Sequence, residues 1–84
     1  MDTYRVALAF DDEDDREPFM ERLRSFNLPA GEELVEEEGQ DPEVHIGSAS
    51  AESALARADV LRQGAVDGTD IDPRRVRLGT EGFA

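Results

Sequence analysis

Five consecutive carboxylates, Asp11-Asp12-Glu13-Asp14-Asp15, form the densest group of chemically active side chains in the sequence. Hard divalent cations take oxygen ligands, so Asp11, Asp12, Asp14 and Asp15 are a candidate Mg²⁺ or Ca²⁺ site. The run is not an EF-hand loop: Arg16 stands where the sixth-position Gly belongs, and Arg22 where the twelfth-position Glu belongs. The same acids also suit a helix N-terminus, where the macrodipole is positive. Arg74, Arg75 and Arg77 form the one basic patch. Guanidiniums fork onto carboxylates, so this patch is expected to contact an anion, an acidic partner, or carboxylates of a neighbouring strand or second subunit.

The other reactive groups are few. His45 lies between Val44 and Ile46 and is the only histidine. A lone histidine on a strand is expected to be a surface or cross-strand side chain, titrating near neutral pH if functional. Gly47-Ser48-Ala49-Ser50 could cradle an anion with backbone N–H groups, or simply cap a helix through Ser48 or Ser50. There is no Cys and no Lys. Disulfides, thiolate nucleophiles and Cys-ligated metals are therefore excluded. No Ser–His–acid spacing supports nucleophilic catalysis. The chain is expected not to be an enzyme and to carry no cofactor, a bound Mg²⁺ or Ca²⁺ being the alternative.

The elements that must position these groups follow from hydrophobic spacing. Tyr4, Val6, Leu8 and Phe10 alternate with Arg5, Ala7 and Ala9, a strand whose second face, lined by small residues, is expected to be at least partly covered. Pro18 fits the first turn of a helix. Phe19, Leu23 and Phe26, with Met20 beside them, form its apolar stripe. Residues 32–38 are rich in Glu around Leu34 and Val35; they are read as a short charged edge strand, with a helix as the alternative. Residues 43–47 form a strand with Val44 and Ile46 inward and His45 outward. A second helix runs from about Ala51 to Gln63 with Ala54, Leu55, Ala58 and Leu61 buried, and Gly64 as its stop. Ile71 anchors a polar turn. Residues 74–78 alternate again, with Val76 and Leu78 inward, and 80–84 are expected to form a loose tail.

This order, strand–helix–strand–strand–helix–strand, predicts an α+β fold. It is a ferredoxin-like βαββαβ sandwich, a four-stranded antiparallel sheet with two helices on one face, in a single domain over 1–79. A three-stranded α/β layer is the alternative if 32–38 is helical.

The junction from Arg5 to Leu28 resembles the opening of response-regulator receiver domains, in which a hydrophobic strand ends in an Asp-Asp pair and runs into an amphipathic helix. On that resemblance Asp11 and Asp12 would match the magnesium-binding acids. It covers under a third of the chain, whose 84 residues are too few for five strands and whose composition contains no switch Lys.

Composition bounds the partners. Twenty-one acids oppose nine Arg, a net charge of −12. Fifteen of those acids and only four of the Arg fall in residues 1–43. Such a surface repels nucleic acid and anionic membrane. No apolar run approaches a membrane span and nothing resembles a signal peptide, so a cytoplasmic location is expected. Abundant carboxylates with no Lys fit a high-salt cytoplasm, where repulsion is screened. The leading expectation is a non-enzymatic, self-associating interaction or regulatory module, either a homodimer or bound to another protein. A divalent-metal or small-ligand binding protein is the second reading, and an acidic nucleic-acid mimic the third.

Overall fold

A computed structural model describes the backbone of residues 1–83 and the side chains of residues 1–80. The chain runs β1 (Asp2–Phe10), α1 (Arg16–Arg24), β2 (Glu32–Val35), β3 (Glu43–Ser48), α2 (Ala51–Val66) and β4 (Val76–Phe83). Short 3₁₀ turns, Glu13–Asp15 and Pro73–Arg75, precede α1 and β4. The four strands form one antiparallel sheet in the order β2-β3-β1-β4, the ferredoxin-like arrangement. Residues 32–35 are thus an edge strand and not a helix. Its brevity and its Glu residues discourage pairing with other chains.

Alternation along the strands divides the sheet into two faces. Tyr4, Val6, Leu8, Val44, Ile46 and Val76 are buried on one of them. They pack with Phe19, Met20 and Leu23 of α1 and with Ala54, Ala58, Leu61 and Ala65 of α2 in a single core. Phe10 and Phe19 meet edge to face, their ring centroids 5.3 Å apart. The alanines let α2 approach closely, and Ile71 closes the end of the core.

Side chains that the sequence offers cap α2 and the 3₁₀ turn that leads into α1. Ser50, not Ser48, caps α2, accepting the Ser53 N–H at 3.1 Å. Ser48 is instead a buried residue at the end of β3. Asp12 caps the 3₁₀ turn before α1 by accepting the Asp14 N–H at 3.0 Å.

Three boundaries differ from the sequence expectation. Gly64 does not stop α2, which continues to Val66. The Phe26 ring, in the turn after α1, lies 3.2 Å from where a Cβ on Gly64 would sit, so Gly64 serves close packing against that turn. The left-handed glycine is Gly68, with φ +78°. Residues 74 and 75 are not strand, because Asp72 accepts the Arg74 N–H and folds them into a turn. Finally, the backbone of 80–83 belongs to β4 and does not leave the sheet after Leu78, because β1 is long enough to offer partners as far as Tyr4, opposite Phe83. A register shift between Thr80 and Phe83 places a bulge there. Of the tail expected over 80–84, Ala84 lies outside the described residues.

With so thin a core, one large side chain matters. Phe19→Ala is expected to cost about 3–5 kcal/mol, enough to unfold a marginal domain. Urea denaturation in salt that keeps the parent folded checks this.

Candidate functional site

The acidic cluster and the basic patch are not separate sites; they lie at the same end of the sheet. β1 ends where β4 begins, and the Asp11 N–H donates to the Arg75 carbonyl at 2.9 Å. Arg77 Nε then reaches Asp11 Oδ1 at 2.7 Å. Arg75 Nη2 lies 3.3 Å from Asp15 Oδ2. Asp15 is buried, and neither its Oδ2 nor Arg75 Nε has an aligned hydrogen-bond partner. Arg74 pairs with Asp72 in its own turn, at 2.8 Å.

Each candidate ligand thereby has a local role. Asp11 and Asp15 face guanidiniums, Asp12 caps a turn, and Asp14 supplies the N–H that Asp12 accepts. Among the described residues no three His, Asp or Glu side chains converge on a position that could hold an ion.

Charges elsewhere also pair across elements. Arg57 of α2 forks onto Glu32 of β2 at 2.7 and 3.0 Å. Hydrogen bonding to Glu32 raises the Arg57 pKa. Arg24 joins Glu36 at 2.7 Å and Glu17 at 3.0 Å, and its hydrogen bond holds Glu36 below the usual carboxylate range. Arg62 binds Asp59 and also donates to the Val76 carbonyl at 2.9 Å, at the start of β4. Arg16 and Arg22 donate to the carbonyls of Gln40 and Gly64.

Arg5 is the exception. Among the described residues it is the one Arg with no carboxylate or carbonyl partner, and its Nε is buried. It stands on β1, on the sheet face away from both helices. There the register sets it opposite His45, and His45 opposite Glu33. His45 Nε2 lies 3.0 Å from Glu43 Oε1 on its own strand. Glu33 is exposed and has no ion pair among the described residues. Around this row lie small residues: Ala7, Ala9, Gly47 and Gly79. The signal for Arg5 was already in the sequence, as the one cation on the outward positions of the first strand. That its neighbours would leave it unpaired depended on register.

Comparison with known protein families, with curated proteins and with solved structures finds no match.

The Asp72–Arg74 pair makes a testable electrostatic site. The hydrogen bond from the Arg74 side chain, then that from its backbone N–H, lowers the Asp72 pKa from 3.8 to about 2. A depressed carboxylate stabilises the fold above its unfolded pKa and loses that contribution as pH falls. The window therefore runs from 3.8 down to about 2. NMR titration of the Asp72 carboxyl is expected to show the low midpoint, and Arg74→Ala to return it toward 3.8, leaving only the backbone bond.

Arg75→Ala is expected to cost about 1–3 kcal/mol, because Asp15 then keeps a buried charge without its counter-ion. Chemical denaturation at neutral pH measures it. Asp15→Asn in the same background should recover part of the loss.

Proposed function

We propose that the protein is a non-enzymatic interaction or regulatory module of a high-salt cytoplasm that self-associates through the helix-free face of its sheet. The observation carrying this reading is the charge of that face. Among the described residues Arg5 and Arg77 there stand against Asp11, Glu33 and Glu43, a net −1, whereas the chain as a whole carries −12. Two copies can approach through this surface with little repulsion; elsewhere the acids oppose them. Its central residues, Ala7, Ala9, Gly47 and Gly79, are small, as suits close packing of one sheet on another. The start of the β4 edge is a poorer route, since Arg62 already occupies the Val76 carbonyl.

The absence of enzymatic chemistry in this reading rests on the engagement of the reactive groups. The sole histidine lies against Glu43, Ser50 is a helix cap and Ser48 is buried. The high-salt setting rests on composition: 21 acids and no Lys. Screening length falls from about 10 Å at 0.1 M salt to about 3 Å at 1 M, which relieves such repulsion. Among the described residues no helix is long and apolar enough to cross a membrane.

Circular dichroism and sedimentation across a KCl series from low to molar concentration test the proposal. Helical signal and dimer mass are expected to rise together with salt. A protein that is folded at low salt and monomeric at every salt would sink it.

A further inference from the structure

The proposed self-association leaves open how two sheets would be oriented, and the charge row on the open face decides it. Arg5, His45 and Glu33 lie in register on β1, β3 and β2. Strand spacing is about 4.8 Å, so the backbone positions of Arg5 and Glu33 stand about 10 Å apart with that of His45 midway. The row is antisymmetric in charge. We infer that Arg5 is the specificity residue of a face-to-face homodimer, and that it receives Glu33 of the partner subunit. This inference rests on the proposed self-association through the open sheet face.

A closed dimer has a two-fold axis and uses the same patch on both copies. With the two sheets facing and their strands roughly aligned, that axis lies between the sheets and runs either across the strands or along them. An axis across the strands that passes through the row sets Arg5 over Arg5 and Glu33 over Glu33, like charge on like. An axis along β3 exchanges the two ends of the row. Arg5 then faces Glu33 of the partner subunit, Glu33 faces Arg5 of the partner subunit, and the two His45 rings meet at the axis. Facing sheets pack about 10 Å apart, a gap that the long side chains of Arg and Glu span together. The pairing supplies an acceptor for the one Arg that has no carboxylate or carbonyl partner among the described residues, and a cation for an exposed Glu on the edge strand. Glu43 is the less suitable acceptor because His45 already engages it. The molecule measures 35 × 25 × 20 Å. Its broad face is thus comparable with the roughly 800 Å² per partner that a specific interface buries.

A charge-swap experiment on the full chain, in KCl at which the parent is dimeric, tests the inference. Arg5→Glu and Glu33→Arg are each expected to weaken the dimer by roughly tenfold or more in sedimentation equilibrium, since each sets like charges together twice. The double swap should recover most of that loss, as a double-mutant cycle requires of a direct pair. Dichroism checks that each variant is folded. If Arg5→Glu does not fold, Glu33→Gln at its exposed edge position carries the test, with a weaker dimer expected and an unchanged dissociation constant overturning the pairing. A parent that dimerises while both single variants keep its dissociation constant, or a double swap no better than the singles, overturns this pairing and leaves self-association standing. A parent that is monomeric at every salt removes both.

Discussion

Repulsion among 21 carboxylates in 84 residues is the constraint to which the rest of the structure answers. Only nine cations are available, and all are Arg. The fold places six of them against carboxylates and two against backbone carbonyls. Several of these contacts join elements that the chain alone would leave apart. Arg57 ties α2 to β2, Arg75 and Arg77 tie the approach to β4 to the end of β1, and Arg62 ties α2 to β4. Exposed ion pairs are individually weak. Their value here is to place the few cations where acids are brought close by the fold.

The core answers the same constraint from the apolar side. Its buried residues all lie between one face of the sheet and the two helices. α2 contributes mainly alanines, so little apolar area is gained per turn, and close packing supplies the rest. Gly64 is part of that economy: its missing side chain admits the Phe26 ring from the end of α1. The other sheet face has no such cover from the described residues, although its central positions are as small as those of a packed layer.

This division is the basis of the proposed function. The helix-covered side and the loops carry most of the negative charge, and the described residues of the open sheet face carry little in sum. On the proposed reading, the protein meets a second copy through the surface where repulsion is least. The acidic run that looks most like a metal site in the sequence is, in the fold, a junction held by two guanidiniums and a turn cap. The more informative group is Arg5, which has no carboxylate or carbonyl partner among the described residues and on which the proposed pairing rests.

The element order, the inward stripes Tyr4-Val6-Leu8 and Phe19-Leu23, and the outward position of His45 were determined by the sequence itself. Each is a local pattern of period two or 3.6 and needs no knowledge of distant residues. The edge placement of 32–35 was legible from its position between two βα units, against the helix preference of Glu. Other features depended on tertiary structure: the meeting of Asp11 with Arg77 and of Asp15 with Arg75, the run of α2 through Gly64, and the turn at 73–75. They are set by strand register and by the approach of one helix to another, across separations for which no local pattern exists. The lack of a carboxylate partner for Arg5 among the described residues belongs with them, because it is settled only when the neighbouring strands have taken their places.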